Sequence, residues 1–318
     1  VTVNLYDAAG ALVATTTTDA SGFYSFTGLF ANTSYTVEFV KPADTVFTTA
    51  LTGATVTDSN ADVATGKYTL VTPATGANSA TTPDDPTIDA GLVELVSIGD
   101  VVWWDTNRDG LQTDGEAPVP GVVVNLYDAA GVKIASTTTD GAGFYSFTDL
   151  VGGATYTVEF VKPADSVFTV AGQGADRAVD SNADVVTGKV TVVAPTTGSN
   201  SATTPDDPTI DAGLVELVSI GDVVWGDDNR DGLQTDGEPL LSGVVVNLYD
   251  AAGVKVKTTT TNADGFYSFT DLFANTSYTV EFVKPAGTSF TTLMAGPDDE
   301  IDSNADVTTG KYTLVTPE

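Results

Sequence analysis

The chain has 318 residues with 12 basic against 43 acidic side chains, no cysteine and no histidine, and a formal net charge of -31. Disulfide staples, thiolate or imidazole metal sites and histidine-based catalytic triads are excluded, and this much negative charge argues against nucleic acid or anionic lipid as a partner. An apolar share of 42% is too high for a disordered acidic tail, and no apolar run is long enough to span a bilayer.

The chain is a repeat. Val3-Asn-Leu-Tyr-Asp7 returns as Val124–Asp128 and Val246–Asp250, and Asp58-Ser-Asn-Ala-Asp62 returns as Asp180–Asp184 and Asp302–Asp306. Residues 97–218 form one whole unit. Residues 1–96 are a unit without its first strand and metal loop, and residues 219–318 are a unit without its last strand. Both ends fall inside a repeat, so a longer array is expected. A fixed period of this length indicates tandem modules rather than one large enzyme.

Within the whole unit every element reads as β. Ser97–Trp104 is the first strand. Gly121–Tyr127 leads into the turn Asp128–Gly131, and Val132–Thr139 returns. Asp140–Gly143 turns again before Phe144–Phe147. Thr155–Val161 alternates apolar and polar residues, as a half-buried strand does. Lys189–Val193 and Thr209–Leu217 close the unit. Short strands between Gly, Asp and Pro turns predict an all-β fold of tandem two-sheet sandwiches with Greek-key connections. Trp103 and Trp225 align and are expected in the core or at a junction.

Between the first strand and the next lies the most specific signal. Asp105-Thr-Asn-Arg-Asp-Gly-Leu-Gln-Thr-Asp-Gly-Glu116 returns as Asp227–Glu238. Oxygen side chains at positions one, three and five, Gly at six and Glu at twelve form the EF-hand calcium pattern. The expected ligands are Asp105, Asn107, Asp109, the Leu111 carbonyl, Thr113 and Glu116. In the second copy they are Asp227, Asn229, Asp231, Leu233, Thr235 and Glu238. The loop is flanked by strands, so no helix-loop-helix opening is expected.

Asp-Ser-Asn-Ala-Asp offers further oxygens: Asp58, Asn60 and Asp62, then Asp180, Asn182 and Asp184, then Asp302, Asn304 and Asp306. It lacks a closing Glu, so remote residues would complete a calcium shell; an Asx-capped turn is the other reading. Thr-Pro-Asp84-Asp85-Pro, repeated at Asp206-Asp207, reads as either a rigid turn or a further acidic cluster.

The order Ser-Ile-Gly-Asp-x-Val-Trp, Asp-x-Asn-x-Asp-Gly-x-Gln, Gly-Val-x-Val-x-Leu-Tyr, Thr-Thr-x-x-x-Gly-Phe-Tyr-x-Phe and Ile-Asp-Ala-Gly-Leu resembles the SdrD-type B domain of the serine–aspartate repeat adhesins. The resemblance covers essentially the whole chain. It implies a Cna-B-like sandwich holding several calcium ions in a stalk outside the cell. Related Cna-B domains often carry a Lys–Asn isopeptide bond. Here the first strand, Ser97–Trp104, contains no Lys. Phe160 occupies the position assigned to the catalytic acid, and Glu159 falls on the opposite face.

Thr75–Asp100 and Thr197–Asp222 differ only at Ala77 and Ser199. No flexible spacer separates the last strand of one unit from the first strand of the next; Val93–Val96 is the whole connection. Identical, short junctions predict a rod of regular twist, with the metal loop beside the junction to the preceding unit. The expectation is a non-enzymatic, calcium-rigidified stalk or filament at the cell surface. Its partners are neighbouring repeats and, in a fibre, identical chains. The alternative is an adhesin module that binds sugar or protein through the loops Asp44–Thr57, Ala164–Val179 and Gly287–Ile301, which differ strongly among repeats.

Overall fold

The structure, a computed structural model, describes residues 1–51, 58–113, 115–235, 237–295 and 300–317. All its regular elements are strands. The first repeat contributes β1 (Thr2–Asp7), β2 (Leu12–Thr17), β3 (Ser34–Val40), β4 (Thr45–Phe47) and β5 (Lys67–Val71). A long strand, β6 (Leu92–Trp104), leads into β7 (Val123–Tyr127), β8 (Lys133–Thr138), β9 (Phe144–Val151), β10 (Thr155–Val161), β11 (Ser166–Phe168) and β12 (Lys189–Val193). A second long strand, β13 (Ala212–Val223), leads into β14 (Val245–Asp250), β15 (Lys255–Thr260), β16 (Phe266–Phe273), β17 (Ser277–Phe282) and β18 (Lys311–Val315).

Each repeat has one antiparallel four-stranded sheet, in the order β2-β1-β3-β5, β12-β10-β7-β8 or β15-β14-β17-β18. Alternation places its side chains. Along β10, Tyr156, Val158 and Phe160 are buried, and Glu159 points out. Outside, Glu159 accepts hydrogen bonds from Tyr127 Oη at 2.5 Å and Asn125 Nδ2 at 3.0 Å, and pairs with Lys189 at 3.2 Å. The same cluster forms around Glu38 and Glu281. The outward Glu and buried Phe160 agree with the alternation argument against an isopeptide acid.

The second sheet of the whole repeat is built on β6. Leu95–Val101 pairs antiparallel with Phe144–Val151 of β9, and Val102–Trp104 runs parallel to Ala212–Leu214 of β13. The two sheets enclose one core, which includes Ile98, Val102, Leu126, Tyr145, Phe147, Val158, Phe160 and Leu214. Tyr145 packs edge-on against Phe147 and Phe160, with centroids 5.8 and 5.5 Å away. Trp103 is fully buried, whereas Trp104 and Trp225 are half-buried.

The junction is tighter than a short connection. Val93–Val96 is not a link between strands but part of one, near the start of β6. Leu92–Glu94 pairs with β4 of the first repeat, and the residues immediately following pair with β9 of the second. β13 does the same, pairing Leu214–Glu216 with β11 and Leu217–Val223 with β16. β11 lies in the stretch read as variable loop, where three residues are too few to show a period. A bulge sits just past each junction, between Val96 and Ile98 and between Val218 and Ile220. In the first bulge Ser97 is fully buried. Its amide and hydroxyl donate to Asp206 Oδ2 at 2.8 and 3.1 Å, so the Thr-Pro-Asp-Asp-Pro segment clasps the bulge.

In the first repeat the counterpart of β9, around Phe23–Phe30, is not a strand. Residues 1–96 contain no counterpart of Leu95–Val101 to pair with it. An open groove of about 580 Å³ runs there over Tyr24, Phe26, Leu29 and Tyr35.

Gly99 lies where β6 meets β9. A Cβ there would come 2.3 Å from the Tyr145 carbonyl oxygen, whereas one on Gly141 would meet nothing within 4 Å. Gly99→Ala should therefore destabilise the second repeat by about 1–3 kcal/mol, the usual cost of overpacking. Gly141→Ala should stay within about 0.5 kcal/mol. Urea unfolding of both variants tests this; equal midpoints would contradict the close approach.

Candidate metal centres

The loop after β6 closes on itself. Asp105 is fully buried. Its Oδ1 accepts the amides of Arg108 at 2.6 Å and Asp109 at 3.2 Å, and its Oδ2 accepts the Gly110 amide at 2.8 Å and the Thr169 hydroxyl. Arg108 and Gly110 take left-handed φ of 64° and 79°, which wraps the chain around that carboxylate. A Cβ on Gly110 would come 2.5 Å from the Val170 carbonyl oxygen, so the glycine serves both curvature and packing. Asp109 Oδ1 accepts the Leu111 amide at 2.8 Å, and Asn107 Nδ2 donates to Asp109 Oδ2 at 3.0 Å. Glu116 folds back, its oxygens accepting the Thr106 amide at 3.0 Å and the Thr113 amide at 2.9 Å.

The loop of the third repeat copies this geometry. Asp227 accepts the Arg230, Asp231 and Gly232 amides and the Thr291 hydroxyl. Burial opposes ionisation of Asp227, but these four donors together hold its carboxyl below the usual range. Asp231 Oδ1 accepts the Leu233 amide at 2.9 Å, and Asn229 Nδ2 donates to Asp231 Oδ2 at 2.9 Å. Glu238 closes onto the Asp228 and Thr235 amides.

The two groups of candidate ligands, far apart in sequence, are neighbours. Leu111 forms an antiparallel bridge with Asp180, and Leu233 with Asp302. The Gln112 amide donates to the Val179 carbonyl at 2.6 Å, and the Ser181 amide to the Gly110 carbonyl at 3.0 Å. Asp58, Asp180 and Asp302 are all buried. Asn60 and Asn182 turn inward, accepting the Asp89 and Asp211 amides at 2.8 and 2.7 Å. Asn304 donates to Asp302 Oδ1 at 3.2 Å. The last Asp of each motif does not join them. Asp62, Asp184 and Asp306 each cap the turn that follows, and those hydrogen bonds, led by Thr65, Thr187 and Thr309, lower their carboxyls.

Among the described residues no three acidic side chains converge closely enough to hold a metal. Asp109 and Glu116 face backbone amides instead. The all-oxygen donor set, the wrapped backbone and the buried Asp105 nevertheless fit a hard cation such as calcium.

The loop lies at the other end of the repeat from the one its place in the sequence suggested. Arg108 Nη1 donates to Thr276 Oγ1 of the following repeat at 2.8 Å, and its guanidinium sits 4.9 Å from the Phe273 ring centroid. A strand rises about 3.3 Å per residue, so β6 carries the chain roughly 30 Å from the preceding junction before the loop begins.

Two acidic residues of weight were not read as candidate ligands. Asp211 is fully buried; its Oδ1 accepts the Val101 amide at 3.3 Å and its Oδ2 has no protein donor. Burial and the neighbouring Asp100 push its carboxyl up, and burial likewise raises Asp100. Within the pair the proton sits on Asp211, whose carboxyl donates to Asp100, and that contact partly offsets the effect of burial on Asp100. Beside them Tyr145 donates to the Ile210 carbonyl at 2.7 Å. In the first repeat burial and the Asp58 charge raise Asp89. Of the variable loops, residues 52–57 and 296–299 lie outside the described residues.

All-β modules that share strands across their junctions and carry recurring oxygen-rich loops define a tandem β-repeat protein. More narrowly, the chain belongs to the SdrD B-like domain family, whose model matches residues 1–92, 96–214 and 218–318. It is 40% identical over 309 residues to serine-aspartate repeat-containing protein F of Staphylococcus epidermidis, covering 96% of this chain and 17% of that one. It is 39% identical over 314 residues to serine-aspartate repeat-containing protein D of Staphylococcus aureus strain Newman, covering 98% of this chain and 22% of that one. The chain thus spans about a fifth of the length of these relatives. Among solved structures, the Bacillus anthracis TIE protein overlaps all of this chain and 45% of its own, at 14% identity and a TM-score of 0.30. Shaft pilin SpaA from Lactobacillus rhamnosus GG overlaps 71% of this chain and 94% of its own, at 10% identity and a TM-score of 0.26. Likeness at this level adds nothing about function.

The Asp100–Asp211 pair gives a pH dependence of definite sign. A carboxyl raised in the folded state contributes stability that is complete below its unfolded pKa of about 3.9 and is lost as pH rises through the folded value. In chelator, raising pH from 5 to 8 should therefore cost the wild type more melting temperature than Asp211→Asn, which keeps the acceptor for Val101 and removes the charge. Parallel pH profiles for the two proteins would contradict the buried pair.

Proposed function

We propose that this chain is a segment of a non-enzymatic surface stalk whose repeats are stiffened by calcium. Membership of the SdrD B-like family puts it at the cell surface. The observation that carries the reading is the strand shared between repeats. β6 and β13 each belong to two modules, so bending a junction means breaking ladder hydrogen bonds on one side of it.

Calcium would be held by Asp105, Asn107, Asp109, the Leu111 carbonyl, Thr113 and Glu116, and by Asp227, Asn229, Asp231, Leu233, Thr235 and Glu238. Asp180 with Asn182, and Asp302 with Asn304, stand beside these loops; Asp58 with Asn60 occupies the corresponding place in the first repeat. The ion would supply positive charge to a chain of net charge -31. Asp109 and Glu116 need to turn from the amides they now accept, but the loop backbone is already wrapped. Extracellular modules bind calcium with dissociation constants of about 0.1–1 mM, matched to concentrations outside cells.

Chelation should lower the melting temperature, because a ligand at 100 times its dissociation constant adds about 2.7 kcal/mol per site. Glu116→Gln should reduce the calcium-dependent rise more than Gln112→Ala, whose side chain occupies a non-ligand position. Small-angle scattering should give a long, narrow particle in millimolar calcium and a shorter mean length after chelation. An unchanged melt in excess chelator would reject the calcium assignment, and a compact globule in calcium would reject the stalk.

A further inference from the structure

Two of the chain's three arginines, Arg108 and Arg230, occupy the fourth position of the candidate metal loops. The backbone amide of each is tied to the first loop carboxylate, Asp105 or Asp227, at 2.6 and 2.5 Å. The side chain is free to point away. Arg108 uses that freedom to reach Thr276 and the face of Phe273 in the next repeat. It is half-buried there, while Arg230, with no following repeat in this chain, is exposed.

We propose that Arg108 is a clamp that docks the metal loop of one repeat onto a Phe/Thr surface of the next. Ordering of the loop by calcium then fixes the junction that follows it. The calcium dependence rests on the reading above; the clamp itself rests on the contact.

The receiving surface is built before the arginine arrives. Thr276 is held by its hydroxyl donating to the Ala274 carbonyl at 2.8 Å and its amide donating to Thr316 Oγ1 at 2.9 Å. The same two bonds hold Thr33 in the first repeat, at 3.0 and 3.1 Å, and Phe30 beside it is 78% exposed. That surface fits the loop arginine of another repeat of this kind. The second repeat lacks it, with Val151 and Ala154 in place of the Phe and Thr. The backbone contact across the junction is common to both: the Gly152 amide donates to the Glu94 carbonyl at 3.0 Å and the Ala274 amide to the Glu216 carbonyl at 3.4 Å, so the two surfaces differ in the Phe/Thr or Val/Ala side chains. A guanidinium stacked on an aromatic face while donating from its edge is a contact that lysine reproduces poorly. The array therefore has two kinds of receiving surface, and the residue pair Phe/Thr or Val/Ala decides which loop can dock.

The chain has no cysteine, so Thr138→Cys and Thr260→Cys, both at exposed positions of the second and third repeats, can carry a pair of spin labels. Distances between them are measured in calcium and in chelator for the otherwise wild-type chain, for Arg108→Ala and for Phe273→Val with Thr276→Ala. The last variant copies the second repeat and leaves the loop untouched. Calcium should narrow the distance distribution of the parent. Both variants should lose that narrowing yet keep the calcium-dependent rise in melting temperature. Narrowing in the variants equal to that of the parent would overturn the clamp. So would a parent distribution unchanged by calcium while its melting temperature rises. If calcium leaves the melting temperature unmoved, the calcium reading falls. The clamp is then judged in plain buffer, where variants as narrow as the parent would overturn it.

Discussion

Everything in this molecule follows from one constraint: the strand that ends a repeat is the strand that begins the next. β6 carries three successive sets of partners, β4, β9 and the parallel stretch of β13. Domains joined by a linker are free to move unless their interface is large. Here there is no linker to move. The bulge just past the junction re-aims the strand, and buried Ser97, clasped by Asp206, fixes that bend. Bulges bend a strand and increase its local twist, so the same bulge just past both junctions is a means of imposing one rotation.

The long strand also decides where chemistry sits. It delivers the oxygen-rich loop to the far end of the repeat, against the next module rather than the last. It also brings Asp100 next to Asp211 just ahead of the parallel stretch between first and last strands. Buried like charges must share a proton or meet a cation. An acidic chain with 12 basic residues has few side chains to spare for that task. Its carboxylates are instead met by backbone amides and hydroxyls, as at Asp105, Asp206 and Asp227. That solution binds charge to backbone conformation.

Much of this was legible in the sequence because alternation and repetition are strong signals. Thr155–Val161 and Lys189–Val193 are strands to the residue. The ligand spacing marks the loops that begin at Asp105 and Asp227, and the backbone of each wraps around that first carboxylate. What stayed hidden depended on tertiary geometry. Val93–Val96 reads as a connection because nothing local distinguishes a link from a strand that changes partners. Ser166–Phe168 was too short to show a period. Asp100 and Asp211 looked like ordinary strand residues, since only the parallel pairing of first and last strands sets them face to face. The side of the module on which the loop lies required knowing how far β6 runs.

Amide hydrogen exchange across residues 92–104 in calcium tests the shared strand most directly. If one strand serves both repeats, the amides of Leu95 and Val96 exchange as slowly as that of Ile98 in the core. Exchange there at the rate of the exposed turns, such as Asp128–Gly131, would mean that the junction opens independently, and the account of a stiff array would be wrong.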